Sequence, residues 1–278
     1  MFKKIHHKVW AFDIEWVPDP MSGMRIYNTD RQLTNEEIIK IMWKEGGATE
    51  ENPMPYLKTV VCRIVSISAV MRAEKNNQVS LHLRSLPSNG TDSILSNEKD
   101  ILSRFLNAIG EHKPQLVGYN SFSSDLKILI QRAIVNSIQA VDFCRRPAKP
   151  WDGIDYFIRG NDWHIDLQDI ISGWGKSTPS LHEIALASKI PGKMDIDGRQ
   201  VAQLWLDGKL DEIIRYNECD ALTTYLLWLR MAYFGGFFTS VQYEEEQEHV
   251  RNLLKEKGSN PNYQHLNRYL EMWEKLNR

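Results

Sequence analysis

The order of local sequence patterns predicts an α/β protein: a mixed β-sheet flanked by helices, with a C-terminal helical extension. Three strand-like segments come first, and helical and strand patterns then alternate in the order βββαβαβα, as a mixed sheet requires. The 278-residue chain is 42% hydrophobic and 25% charged, the balance of a folded globular protein. No stretch approaches the ~20 consecutive apolar residues of a membrane span, so no membrane association is expected. The 34 Lys+Arg nearly offset the 36 Asp+Glu for a formal net charge of −2, which excludes a polybasic tail protein and an acidic solvating chain. Cys62, Cys144 and Cys219 form no CxxC pair, which argues for a reducing compartment and against a thiolate zinc site. The opening MFKKIHHKVW carries basic residues but no apolar run before FDIE, so no secretion signal is read and a cytoplasmic location is expected.

Residues 9–16, VWAFDIEW, are rich in β-branched and aromatic side chains and are stopped by Pro18 and Pro20, which suits a strand. Residues 59–71 and 78–83 are the next strands, parted by the turn-like Glu74-Lys75-Asn76-Asn77, so three consecutive antiparallel strands are expected. The insertion between the first two, about forty residues at 18–58, is unusually long for a connection without a task of its own. It holds one expected helix at 34–44, with Thr34 as N-cap and Glu37 three residues on, a capping-box pattern.

After Pro87 an amphipathic helix is expected at 97–111, with Ile101, Leu102, Phe105, Leu106 and Ile109 on one face. A short strand at 115–119 and a helix from Ser123 or Ser124 to 137 follow. A basic loop with Arg145, Arg146 and Lys149 precedes a strand at 163–167 and a short helix at 167–172. Helices then dominate, at 180–188 and 210–233, and residues 241–278 read as a helical hairpin. Its second arm carries Tyr263, Leu266, Tyr269, Leu270, Trp273 and Leu276 at helical spacing, and Glu244-Glu245-Glu246 is expected as a solvated helix start.

Three places hold acids that the folding pattern does not explain. Asp13 and Glu15 interrupt an apolar strand and, because side chains alternate, share one face. Two like charges there weaken folding unless water or a cation faces them, so a divalent metal and a solvated strand end are both open readings. Asn120 stands at a strand's carboxyl end and Asp125 in the first turn of the next helix, where α/β sheets place their sites. An acid there also suits the helix dipole, and Ser123 or Ser124 could cap that helix. Tyr216 and Asp220 are four apart on the long helix and share a face beside the apolar Ile213, where an unpaired carboxylate is costly.

In this order, FDIE, Asn120 with Asp125, and Tyr216 with Asp220 resemble the three exonuclease motifs of the DEDDy branch of the DnaQ-like 3′–5′ exonucleases, which have an RNase H-like fold. The resemblance points to the exonuclease domains of family B DNA polymerases and to the stand-alone PolB-like predicted 3′–5′ exonucleases. Ile165-Asp166-Leu167, Pro191-Gly192-Lys193 and the stretch from Asp197-Gly198 to Val201 also resemble that stand-alone group, so it spans residues 8–234 and leaves out the hairpin. One departure is Ser124, where relatives usually carry an aromatic beside the acid. The resemblance implies an exonuclease domain at 1–238, with the hairpin at 239–278 packed on or extending it. It also implies hydrolysis at the 3′ end of single-stranded nucleic acid, DNA more than RNA with the choice of sugar left open, releasing nucleoside 5′-monophosphates in DNA repair or RNA processing. A replication or repair protein is a candidate partner.

Phosphodiester hydrolysis needs charge neutralisation on the nonbridging oxygens, an activated water and a stabilised leaving oxygen, and two divalent ions ~3.5–4 Å apart supply all three. Oxygen donors without a Cys/His cluster favour Mg²⁺ or Mn²⁺. The resemblance implies that Asp13 bridges both ions, that Glu15 and Asp220 complete the first site, and that Asp125 holds the second. Tyr216, protonated at neutral pH, would orient the attacking water. Histidine-type relatives carry His five residues before the last acid, where this chain has Arg215. Asn120, Ile14, Trp16 and Lys193 are the candidate substrate contacts.

Other residues have plainer readings. His6 and His7 could form a metal pair but sit in a lysine-bordered segment, and His164 and His182 suit core or surface positions. Arg145, Arg146 and Lys149 could track a strand beside Trp151 and Tyr156, which could stack bases, or form an ordinary loop. Asp166 is expected to cap the short helix after it, and Trp43 and Tyr56 either form a flap or pack the insertion down. Two other functional classes remain. A phosphohydrolase of the HAD type is suggested by Asp13, but it needs an Asp two residues on, where Glu15 stands. The other is a non-catalytic nucleic-acid-binding module that kept the fold.

Overall fold

In the computed structural model, residues 2–30, 32–90, 97–149, 151–172, 177–194 and 198–278 are described. The strands are β1 (Lys8–Pro18), β2 (Cys62–Lys75), β3 (Gln78–Leu86), β4 (Gln115–Gly118) and β5 (His164–Asp166). They form one sheet in the order β3-β2-β1-β4-β5. The first three pair antiparallel, whereas β4 joins β1 and β5 joins β4 in parallel. This is the mixed sheet the sequence predicts. The second strand starts three residues late, because Thr59–Val61 forms a 3-10 turn, and the third runs on to Leu86.

Among the described residues the helices are α1 (Pro20–Tyr27), α2 (Asn35–Glu45), α3 (Glu98–His112), α4 (Asp125–Val135), α5 (Val141–Cys144), α6 (Leu167–Ser172), α7 (Leu181–Ala187), α8 (Val201–Leu206), α9 (Leu210–Phe234), α10 (Ser240–Gly258) and α11 (Gln264–Leu276). The capping box at Thr34 and Glu37 forms as expected. Helix α1 was not foreseen, although Asp19 caps it and Pro20 occupies its first turn, a start signal that the strand-stop reading of Pro18 and Pro20 hides.

Alternation on β1 sorts the core into two layers. Trp10, Phe12 and Ile14 point to α3 and α4, joining Leu102, Phe105, Ile128 and Leu129. Val9 and Ala11 point the other way, to a layer that includes Leu222, Tyr225 and Trp228 of α9 and Leu266, Tyr269 and Trp273 of α11. Helix α9 therefore lies between the sheet and the hairpin, which explains why it is buried nearly all round, polar Asn217, Glu218, Thr223 and Thr224 included. The hairpin is tied to it by the Tyr269 and Thr223 hydroxyls, 2.9 Å apart, and by His265 Nε2, 2.7 Å from the buried Glu218. The acidic run at 244–246 departs from expectation, because Glu246 is buried and bonds Arg72 of β2 through Nε and Nη2. Packing α10 on the sheet places that one acid over a buried guanidinium.

The insertion has a small core of Ile38, Ile39, Met42 and Trp43, joined by Val61 of the turn before β2. Trp43 packs it down, whereas Tyr56 is 80% exposed. A buried ionic cluster fastens it to α3 and α4: Arg132 Nη2 of α4 donates to Asp19 Oδ2 at 2.9 Å and to Glu98 Oε2 of α3 at 2.7 Å.

Candidate active site

Asp13 and Glu15 lie on the β1 face that α9 covers, opposite Ser68 and Ser66 of β2. The pairing slips between Glu15 and Trp16, leaving Val65 of β2 as the extra residue. Such a bulge bends the ladder and re-aims side chains, here at the end of β1 that carries the acids. Helix α9 crosses this face and brings Asp220 to them. One carboxylate oxygen from each of Asp13, Glu15 and Asp220 lies within 4.8 Å of the others, a spacing that a cation could span. Asp125 is not part of that trio. It is buried at the start of α4 and accepts a hydrogen bond from the backbone N–H of Ile14, between the two β1 acids.

The loop before α4 depends on Gly118, because a Cβ there would lie 2.3 Å from that of Ser121. Asn120 adopts a left-handed φ of 57°, and its N–H and that of Phe122 donate to Asp166. Asp166 also accepts from Gln168 N at 3.0 Å, so the expected cap of α6 doubles as the anchor of this loop. Ser124 does not cap α4 through its side chain. Its hydroxyl bonds Asn120 O at 2.6 Å and Asp125 Oδ2 at 3.0 Å instead.

The electrostatics follow from burial first and from neighbouring charges second. Burial raises the carboxyl of Asp13 well above its usual range, with Glu15, Asp220 and Asp125 adding to it, and the Asn217 amide pulls it back. Burial raises Glu15 too, then Asp220 and Asp125, while Lys193 opposes them. Burial pushes Asp125 up to about 7 and Asp220 up to about 6, the latter against a hydrogen bond from Tyr216 and the charge of Lys193. Tyr216 is raised by burial and by the surrounding acids, so its phenol stays protonated and donates to Asp220. Lys193 reaches this cluster from a turn held by its own N–H to His182 Nδ1, 2.9 Å, where a Cβ on Gly192 would lie 2.4 Å from the same atom.

A folded state that keeps protons the unfolded chain has released loses stability as pH rises between the ordinary carboxylate range and the raised values. Asp125→Asn is therefore expected to melt higher than the wild type at pH 8 in EDTA and by a smaller margin at pH 5. Scanning calorimetry at the two pH values checks this, and an equal gap at both would mean that the carboxyl is not raised by its burial.

Asn217, fully buried, was missed in the sequence. Its Nδ2 donates to Asp13 Oδ2 at 2.6 Å while Ser66 Oγ donates to its Oδ1 at 3.0 Å. The signal was a polar residue inside an apolar helix, three before Asp220 and so on the same side. Other expectations shift. Tyr156 is buried, with its hydroxyl on Pro114 O, and cannot stack a base, whereas Trp151 is 78% exposed. Arg145 and Arg146 are paired with Asp142 and Asp155. His164 is buried with Nε2 2.9 Å from Ser121 Oγ, and His6 packs on Trp163. Ile14 is buried and Trp16 half-buried. The hydroxyls of Tyr56 and Tyr216 each come within 3.9 Å of where a Gly198 Cβ would sit, so the insertion reaches the site. Asp197 lies outside the described residues.

Residues 54–273 match the family described as predicted 3′-5′ exonucleases related to the exonuclease domain of PolB. The chain belongs to this PolB-like exonuclease family. The matched span takes in Asp125, Tyr216, Asp220 and most of the C-terminal hairpin, beyond the 8–234 span of the motif resemblance, and begins after β1. A DNA polymerase of Archaeoglobus fulgidus is 28% identical over 187 residues, covering 62% of this chain and 22% of the polymerase. The chain thus spans under a quarter of that relative's length. A PolB-like exonuclease with this site has an oxygen-only donor set at the carboxyl end of its central strand. Among the described residues no helix is long and apolar enough to cross a membrane.

Proposed function

We propose that this PolB-like exonuclease is a metal-dependent hydrolase that removes nucleoside 5′-monophosphates from the 3′ end of single-stranded nucleic acid, DNA in preference to RNA. The observation that carries the reading is the meeting of Asp13, Glu15 and Asp220, from two distant segments, within 4.8 Å of one another. Burial raises all three carboxyls, and neighbouring acids raise Asp13 and Glu15 further, a cost that a cation facing them would relieve. The donor set is all carboxylate oxygen, which suits Mg²⁺ or Mn²⁺.

Asp13, Glu15 and Asp220 would hold one cation, and Asp13 with Asp125 a second. Bound there, the pair would neutralise the phosphodiester oxygens and acidify a water. Tyr216 stays protonated and fixed on Asp220, so it can orient that water and not abstract its proton. Lys193, whose charge acts on Glu15 and Asp220, Asn120, Ile14 and Trp16 are the proposed substrate contacts, with Lys193 offering a charge to a phosphate. Residues 1–238 form the exonuclease domain in this reading, with the hairpin packed on it, and the enzyme acts in the cytoplasm on repair intermediates.

Digestion of 3′-labelled and 5′-labelled single-stranded DNA and RNA, with Mg²⁺ or Mn²⁺, tests polarity, sugar preference and metal together. The expected result is release of labelled mononucleotide at once from the 3′ label only, lost in EDTA. Binding without turnover in either metal would instead support a non-catalytic module. Tyr216→Phe is expected to lower kcat ~10²-fold at saturating Mn²⁺, the scale of a positioned acid–base group, and also to weaken Mn²⁺ binding because the phenol donates to Asp220. A wild-type kcat at saturating Mn²⁺ in that variant would overturn the orienting role.

A further inference from the structure

We propose that Asn217 is a positioning residue that sets the orientation of the Asp13 carboxylate toward a bound cation, and that Ser66 holds Asn217 in that role. The inference rests on the metal-dependent reading above. A charged carboxylate can only accept hydrogen bonds, so the amide must present Nδ2 to Asp13, and Ser66 fixes this by donating to the opposite end of the same amide. The two bonds, 2.6 Å and 3.0 Å, run in line from β2 through α9 to β1. Asn217 and Ser66 are both fully buried, so no water competes for either bond.

The consequence is geometric. Asp13 Oδ2 is engaged by the amide, which limits rotation of the carboxylate and sets how its remaining lone pairs face Glu15 and Asp220. Asn217 and Asp220 are three apart on α9, so one rigid helix carries both a trio member and the group that aims another. Partners of this kind, one bond removed from the ion, typically change metal affinity 10–100-fold when removed. A merely structural Asn217 would tie α9 to the sheet and change melting temperature without changing metal affinity.

The test uses the full chain and Mn²⁺ alone as probe. Mn²⁺ binding is followed by electron paramagnetic resonance without nucleic acid, beside melting temperature in EDTA and the Mn²⁺ concentration that half-saturates turnover. For Asn217→Ala the Kd for Mn²⁺ is expected to rise about tenfold or more, with the half-saturating concentration rising in step. Ser66→Ala, which keeps the donor and frees it to swing, is expected to shift both in the same direction by less. Wild-type Mn²⁺ affinity in a folded Asn217→Ala overturns the proposal. Should that variant not fold, Ser66→Ala decides by the same measure. An active wild type with unchanged Mn²⁺ affinity in the variants refutes the positioning role alone. Weakened Mn²⁺ binding in the variants of a wild type that digests nothing upholds it and refutes the nuclease reading.

Discussion

Asp13→Asn is expected to lower the single-turnover rate of 3′-end digestion by about 10³-fold or more at saturating Mn²⁺, with no fall in the melting temperature of the metal-free protein. The substitution keeps the shape of the side chain and removes one negative charge from the centre of the trio. Asp13 is the acid on which the others converge, since Glu15, Asp220 and Asp125 all act on its carboxyl. Removing it takes a shared donor from both proposed cation positions. Lewis-acid stabilisation of a phosphoryl transition state is worth several kcal/mol, and ~4 kcal/mol corresponds to that loss of rate. Stability should not suffer, because a neutral amide relieves repulsion among raised carboxyls. Rapid-quench digestion of 3′-labelled DNA, together with Mn²⁺ titration by paramagnetic resonance, checks both halves. A folded Asp13→Asn that digests at the wild-type rate would remove Asp13 from the site.

The sheet and the acids were legible because their signals are local. β-branched and aromatic runs stopped by Pro18 and parted by the 74–77 turn give β1 to β3, and acids inside apolar runs stand out whatever surrounds them. What could not be read is what depends on distant residues meeting. Nothing near Asn217 in sequence says that it lies beside Asp13, 204 positions away, or that Ser66 supports it from β2. Glu246 looked like one of three solvated acids because its partner, Arg72, lies on another element. Tyr156 looked like a stacking platform because an aromatic in a polar loop carries no mark of burial. Helix α1 is hidden for a different reason: Pro20 both stops a strand with Pro18 and starts a helix behind the Asp19 cap, and the first meaning masks the second.

Arg132→Leu is expected to destabilise the protein by ~3–5 kcal/mol, the cost of breaking a buried ion pair by removing one partner. At the scale of a few degrees per kcal/mol for a domain of this size, the melting temperature should fall by about 10 °C. The guanidinium is buried and holds Asp19 and Glu98 together, and Glu98 also accepts from Ile64 N at 2.8 Å. Without it two like charges remain buried beside each other. Burial alone would raise the Asp19 carboxyl, but the Ser22 hydroxyl and Arg132 outweigh it and hold it below its usual value. A depressed acid contributes stability above its unfolded range and loses it as pH falls through the folded value. In Arg132→Leu that support is gone and the carboxyl can take up a proton, so the deficit against wild type should shrink from pH 8 to pH 5. The functional effect follows from position. Asp19 comes immediately after β1, four residues beyond Glu15, so the cluster clamps the strand end that carries two of the proposed ligands. At temperatures where the variant is still folded, its Mn²⁺ affinity should therefore drop as well. Unchanged stability at pH 8 would mean that the insertion is held by its apolar core alone.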